Sequence, residues 1–366
     1  MQNIFDLAVP GARELKPYQP GKPIAELERE YGIRGAIKLA SNENPLGPSP
    51  KALAAVSEAL PELARYPEGG GVLLKDALAR RLNVRPEQIS LGNGSNDILE
   101  LAARCFVQPG DEVIFSRHAF AVYPIVTKAV GGVAVEVPAR DWGNDPEALL
   151  AAITPKTKLI FIANPNNPTG TWWTRAVLAR FLAAVPANIV VVLDEAYFEY
   201  VTVDDFPNGI EELPRRSNLV VTRTFSKIYG LAGLRMGYGV SSPDIADIFN
   251  RVRQPFNVNS LAQVAAAAAL DDAAHVQRSR ADNTAGMRQL SEAFRTRGLR
   301  YIPSAGNFLS VDCGRPAAPI YEALLREGVI VRPVANYGMP NHLRITVGLA
   351  EENRRFLDAL ARVLQP

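Results

Sequence analysis

Cysteine is nearly missing from this chain of 366 residues, which has only Cys105 and Cys313, far apart and each in or beside an apolar stretch. A disulfide framework is excluded, and two buried free thiols in a reducing compartment are expected. Histidine is as scarce: His118, His275 and His342 are scattered, so no metal ligation is expected. Charge of one sign is not in excess. Forty basic against 38 acidic residues give a net charge of +2, and no basic run is interleaved with aromatics, so nucleic acid is not an expected partner. No apolar run reaches the ~18 residues that a membrane span needs. The chain opens MQNIFDLAVPG, with an acid and no basic leader, so a cytoplasmic location is expected. No internal repeat appears. What remains is a 47% apolar chain long enough for two domains and a large core.

The chemistry is concentrated in Thr224-Phe225-Ser226-Lys227, with Arg235 eight residues beyond the lysine. An amine beside hydroxyls and a guanidinium suits an aldehyde cofactor bearing phosphate, namely pyridoxal phosphate. The lysine can condense with the aldehyde while the hydroxyl and the arginine fork hold the dianion. Alone, a Ser-Lys pair reads as a solvated strand-end lysine. Its company changes that. The apolar runs Thr157 to Ala163, Ile189 to Leu193 and Asn218 to Thr222 read as buried parallel strands. They run respectively into Asn164-Pro165-Asn166-Asn167-Pro168-Thr169-Gly170, Asp194-Glu195-Ala196-Tyr197 and the lysine segment. Ligands of open parallel sheets bind beyond the carboxyl ends of the strands, so Asn167, Asp194, Tyr197 and Lys227 are expected around one crevice. An aspartate facing the ring nitrogen keeps it protonated, which is the role expected of Asp194. Asn167 and Tyr197 can donate hydrogen bonds to the ring hydroxyl oxygen.

A further run, Gln88 to Leu91, leads through Gly92-Asn93-Gly94-Ser95-Asn96 into a helical pattern from Asp97 to Phe106. Glycines permit the tight turn, and free N–H groups at a helix start attract phosphate. A dinucleotide fingerprint is the rival reading, but Asp97 stands where its third glycine belongs.

Taken together, LASNENPLGPSP from Leu39, RYPEGG from Arg65, GNGSND from Gly92, NPNNPTG from Asn164, DEAY from Asp194, TFSKIYGLAGLRMGY from Thr224 and NHLRITVG from Asn341 resemble the fold-type I pyridoxal-phosphate aminotransferases over nearly the whole chain. Within them the likeness is strongest to the branch acting on histidinol phosphate in histidine biosynthesis. The resemblance implies an α/β fold like that of aspartate aminotransferase, with a large cofactor domain built on a mostly parallel sheet of seven-stranded type between helices, plus a smaller α/β domain. The expected division is an arm at 1–44, the large domain at 45–259, and a bridging helix with the small domain at 260–366. The resemblance also implies that Lys227 carries the internal aldimine and shuttles the proton. Gly94, Ser95, Asn96, Thr224, Ser226 and Arg235 would hold the cofactor phosphate. Phe120, in His118-Ala119-Phe120 where the family commonly has Pro-Thr-Tyr, would stack on the ring. Arg344 would grip the substrate carboxylate, and alternation in LRITV points Arg344 and Thr346 to one face. Tyr18, Asn44, Tyr66, Asn167 and Tyr337 would line the substrate pocket, with Tyr66 contributed by the second subunit of a homodimer and reaching the cofactor phosphate as well. The implied reaction is ping-pong transamination between an amino donor, histidinol phosphate or an aromatic amino acid, and 2-oxoglutarate. An amino acid phosphate decarboxylase is the alternative. A non-catalytic cofactor-binding module ranks third, since residues 1–44 offer no room for a helix-turn-helix.

Overall fold

The computed structural model describes residues 3–364; Met1, Gln2, Gln365 and Pro366 lie outside it. Its centre is a seven-stranded sheet of β1 (Ile89–Asn93), β2 (Glu112–Ser116), β3 (Val133–Val137), β4 (Thr157–Ala163), β5 (Val190–Asp194), β6 (Leu219–Thr224) and β7 (Met236–Val240). The strand order is β1-β7-β6-β5-β4-β2-β3, and only β7 runs antiparallel to its neighbours. Such strands read as unbroken apolar runs because both faces are covered. Ile160, Ile162, Val191 and Leu193 face one core, while Leu159, Phe161, Val190 and Val192 face the other. The first core is closed by helices α1 (Pro50–Ala59), α2 (Val72–Leu82), α5 (Arg175–Ala184) and α7 (Ser260–Leu270). The second is closed by α3 (Ser95–Phe106), α4 (Val122–Ala129) and α6 (Pro243–Val252).

Helix α8 (Ala273–Thr296), 24 residues and so about 36 Å long, leads to a second sheet. That sheet has the order β8 (Tyr301–Ile302), β9 (Phe308–Asp312), β11 (His342–Thr346), β10 (Arg332–Pro333), all antiparallel, packed on α8, α9 (Ala317–Arg326) and α10 (Ala350–Leu364). The N-terminal segment joins this unit: Ile37–Lys38 pairs parallel with Val329–Ile330, and helix Ile24–Tyr31 buries Leu27 against Leu325 and Ile330.

Element ends depart from the apolar pattern where capping takes over. Helix α7 begins at Ser260, because the Asn259 side chain accepts the Ala262 N–H at 2.8 Å. Helix α2 begins at Val72, directly after Gly71 at φ +66°. Among the described residues no helix is long and apolar enough to cross a membrane.

Candidate active site

All strands of the large sheet except β7 end at one edge, and the chemistry-bearing side chains collect there around a cavity of about 200 Å³. Ser95, Asn96, Phe120, Asn167, Asp194, Tyr197, Thr224, Ser226, Lys227 and Arg235 line it from the large sheet, and Tyr18, Tyr337 and Arg344 line it from the opposite side.

Lys227, three residues past β6, points its Nζ at the Ser41 carbonyl, 3.1 Å away. Burial, and then the nearby Arg344, lower its pKa to about 7. Asp194, the last residue of β5, is buried; its Oδ2 accepts from the Tyr123 hydroxyl at 3.0 Å and its Oδ1 from Thr222 at 3.2 Å. Burial pushes the Asp194 carboxyl upward, and those two donors pull the other way. Tyr197 is buried too. Its hydroxyl accepts from Asn42 Nδ2 at 2.9 Å, and burial raises it to about 12.

The start of α3 forms a cradle. Gly94 takes φ +82°, and a Cβ there would lie 2.5 Å from Arg235 Nη2, so only glycine leaves room for that guanidinium. A Cβ on Gly237 would meet the Ser95 backbone nitrogen at 2.1 Å, so its absence lets β7 run directly against the helix start. Arg235 itself sits at φ +57°, which costs about 1–2 kcal/mol for a residue with a side chain, and reaches Ser226 Oγ at 3.5 Å. The Asp97 carboxylate accepts from the Asn93 N–H at 3.0 Å and from Asn257 Nδ2 at 2.7 Å. Hydroxyls, helix N–H groups and a guanidinium therefore converge on a place suited to a phosphate monoester.

Across the cavity, Arg344 is buried. It donates to Asn167 Oδ1 at 2.5 Å and to the Ala40 carbonyl at 2.6 Å, while its Nε has no partner. Thr346 shares its face, as alternation requires, and donates to Asn42 Oδ1 at 3.1 Å.

Three polar residues at or beside the cavity escaped sequence reasoning: Asn42 and Arg332, which line it, and Tyr123, which stands behind Asp194. Asn42 lies in a quoted motif, but Asn44 was expected in the pocket instead. That expectation is corrected: Asn44 does not line the cavity, and its amide is spent on the Ile228 carbonyl at 2.7 Å and Ser279 Oγ at 2.9 Å. Asn42 adopts φ +55°, which breaks the two-residue alternation and turns its side chain inward. Tyr123 stands three residues after Phe120 and acts through Asp194. Arg332, on a strand of two residues, gave no periodic signal; it is directly opposite Arg344 in the β10–β11 register and lines the same cavity. Tyr66 is outside the cavity of its own chain, 83% exposed and stacked on Phe256 at 4.8 Å.

The description "Aminotransferase class I and II" fits residues 34–360 of the chain as a family model. The chain belongs to the class I and II aminotransferases. This aminotransferase is 62% identical over 364 residues to histidinol-phosphate aminotransferase 2 of Pseudomonas fluorescens, covering 99% of this chain and 98% of that one. It is 59% identical over 366 residues to histidinol-phosphate aminotransferase 2 of Pseudomonas aeruginosa, covering 100% and 99%. Among solved structures, histidinol-phosphate aminotransferase from Sinorhizobium meliloti, in complex with pyridoxal-5'-phosphate, matches with a TM-score of 0.90 at 32% identity, covering 98% of this aminotransferase and 97% of that chain. The fold expectation of a large, mostly parallel seven-stranded sheet with a smaller unit is thus met.

Proposed function

We propose that this aminotransferase holds pyridoxal phosphate in the cavity and moves the amino group of histidinol phosphate to 2-oxoglutarate by a ping-pong reaction. The observation that carries the donor assignment is the pair Arg332 and Arg344. Two guanidiniums directly opposite on neighbouring strands repel each other. Both are buried, at 9% and 6% exposure, and their hydrogen bonds go to neutral oxygens of Gln19, Asn167 and Ala40. A substrate anion supplies the missing countercharge, as the phosphate of the donor in one half-reaction and the carboxylates of the oxo acid in the other. The Tyr18 ring, 5.5 Å from the Arg332 guanidinium, and the Tyr337 ring suit a flat heterocycle between them. The names of the relatives support the same donor and give no support to decarboxylation.

The residues present fit the cofactor. Gly94, Ser95, Asn96, Thr224, Ser226 and Arg235 would hold its phosphate, Phe120 would cover its ring, Asp194 would face the ring nitrogen, and Asn167 with Tyr197 would face the ring oxygen. When bound, pyridoxal phosphate supplies an aldehyde that exchanges between amines and a ring that withdraws electrons from the substrate α-carbon. Lys227, with its pKa lowered to about 7, has a substantial neutral, basic fraction at neutral pH and takes the proton from the donor α-carbon. Tyr123 and Thr222 keep the Asp194 carboxylate oriented and ionised. Arg344 fixes the donor so that its α C–H bond faces Lys227.

A homodimer is part of the reading. Leu60, Leu63, Tyr66, Leu73 and Phe256 are exposed by 48, 55, 83, 58 and 46%, with Tyr66 stacked on Phe256, apolar surface that a second copy would cover while Tyr66 reaches the other site. A cytoplasmic location completes it.

The test supplies purified enzyme and 2-oxoglutarate with histidinol phosphate, phenylalanine or aspartate in parallel and measures glutamate. Histidinol phosphate should exceed the others in kcat/KM by at least about tenfold. Equal rates would make the enzyme a broad aromatic aminotransferase, and carbon dioxide release without glutamate would make it a decarboxylase.

A further inference from the structure

His118 lies where the large sheet meets the small one, and none of the chemistry above uses it. It follows β2, two residues before Phe120, and is buried. Its Nδ1 lies 2.6 Å from the Tyr337 carbonyl oxygen. A carbonyl only accepts, so Nδ1 carries the hydrogen and donates it. The His118 carbonyl in turn accepts from Asn166 Nδ2 at 2.9 Å, in the loop that carries Asn167. Nearby, Ala121 packs against the small-sheet cluster of Ile302, Val334, Tyr337 and Met339. One short loop therefore touches the Phe120 wall, the Asn167 loop and the Tyr337 wall together.

The bond is also shielded. Trp142, at the tip of the hairpin Ala139–Arg140 and Gly143–Asn144, lies with its ring centroid 5.2 Å from the His118 imidazole and 4.8 Å from that of His342. Both tip residues, Asp141 and Trp142, take left-handed φ values of 49° and 66°, as a two-residue hairpin turn requires, and that turn carries the ring. Away from water a hydrogen bond is electrostatically stronger and steers geometry more firmly. The other backbone bonds of the turn between β10 and β11, from the Tyr337 N–H to Val334, from Gly338 to Ala335 and from Ala317 to Pro340, stay on the small-sheet side.

We propose that His118 is a positioning residue for donor specificity: by donating from Nδ1 to the Tyr337 carbonyl it fixes the separation of the Phe120 and Tyr337 walls, and so which amino donors fit between them. This rests on the function proposed above and deepens it. A donor with a ring and a phosphate spans both walls, whereas 2-oxoglutarate needs chiefly the Arg344 grip.

The experiment compares His118→Ala, His118→Asn and His118→Gln with the wild-type holoenzyme. Asparagine places an amide nitrogen the same number of bonds from the backbone as Nδ1, and glutamine places it one bond farther. His118→Ala and His118→Gln should lower kcat/KM for histidinol phosphate about tenfold to a hundredfold, mainly through KM, while KM for 2-oxoglutarate stays within about threefold. His118→Asn should recover most of the loss. Hydrogen exchange of residues 334–340, measured with no substrate present, should quicken in the alanine and glutamine variants and return towards wild type with asparagine. Equal losses with both substrates in all three variants, or unchanged exchange in the alanine variant, would overturn the proposal. A wild-type enzyme that ignores histidinol phosphate would instead sink the donor assignment, with the exchange pattern still deciding whether His118 holds the turn.

Discussion

Replacing Tyr123 by phenylalanine removes one oxygen and little else. The ring is fully buried, stacked on Phe161 at 4.6 Å and 7°, and meets Phe120 edge-on at 6.0 Å. Phenylalanine keeps those contacts. What it loses is the 3.0 Å bond to Asp194 Oδ2, a hydrogen bond to a charged group worth about 1.5–3 kcal/mol. Thr222, at 3.2 Å on the other oxygen, cannot replace it. The Asp194 carboxyl is already raised by burial, so losing this donor raises it further. A group whose folded pKa lies above its unfolded value contributes stability below the unfolded pKa and loses it as pH rises through the folded one. The penalty of Tyr123→Phe in the cofactor-free protein should therefore be largest at pH values where Asp194 is ionised, and should shrink under acid conditions where a neutral carboxyl needs the donor less. Urea unfolding at a series of pH values reads this directly. In the holoenzyme, a carboxylate held less firmly in its ionised form supports a protonated ring nitrogen less well. At 1.36 kcal/mol per decade, the full 1.5–3 kcal/mol would lower turnover by about tenfold to about 150-fold. A variant with wild-type unfolding free energy at neutral pH and wild-type turnover would show that Tyr123 only fills space, and would remove it from the site.

Arg344→Lys keeps the charge but loses the planar fork, so KM for donor and oxo acid should both rise, by about 30-fold or more; unchanged KM values in steady-state assays would contradict its role as the grip on the donor phosphate and the oxo-acid carboxylate. In the cofactor-free protein, acylation of Lys227 followed by mass spectrometry should show a rate that levels off above pH about 7 and falls about tenfold per unit below it, because only the neutral amine reacts; a midpoint near the ordinary lysine value would refute the effect of burial. Glu195→Ala breaks the buried pair with Arg223, 2.7 Å apart with side chains 0 and 4% exposed, and should cost about 3–5 kcal/mol in urea unfolding. A loss under about 1 kcal/mol would mean that the bond Arg223 already makes to Asn208 Oδ1, at 2.7 Å, suffices to hold it, and would refute the cost assigned to breaking the pair.

The large sheet was legible in the sequence for a physical reason. A strand buried on both faces must be apolar throughout, so Thr157–Ala163 has the same ends in the pattern as in the structure, and the polar residues directly after such runs mark the edge where ligands bind. Asp194, Tyr197 and Lys227 were found that way. The small sheet was harder to read. Tyr301–Ile302 and Arg332–Pro333 are two residues long, too short for any period, and they exist because β9 and β11 offer them partners. Arg332 was missed with its strand. Asn42 was missed because alternation assumes extended backbone and its φ of +55° breaks that assumption. Tyr123 was missed because its effect passes through Asp194, 71 positions away, and no local pattern encodes that distance.

These misses fall largely on the seam between the two sheets, and the seam divides the labour of the site. Lys227, Asp194 and the cradle at Gly94 and Arg235 stand on or just beyond strands of the large sheet, whose register is fixed by two cores. The groups proposed to meet the rest of the substrate, Arg332 on β10, Arg344 on β11 and Tyr337 in the turn between those strands, belong to the small-sheet side. They are tied across by a few bonds, including Arg344 to Asn167 at 2.5 Å, Ser310 Oγ to the Pro168 carbonyl at 2.6 Å, and the Ala305 N–H to the Gly170 carbonyl at 2.9 Å. A change in the first group alters a step common to every donor and lowers all turnover alike. A change in the second group or in its ties shifts one wall against a fixed reaction centre, so it alters the ratio of kcat/KM between donors. In the proposed reaction, donor choice can therefore drift through Arg332, Tyr337 and their ties while Lys227 and Arg344 keep their places.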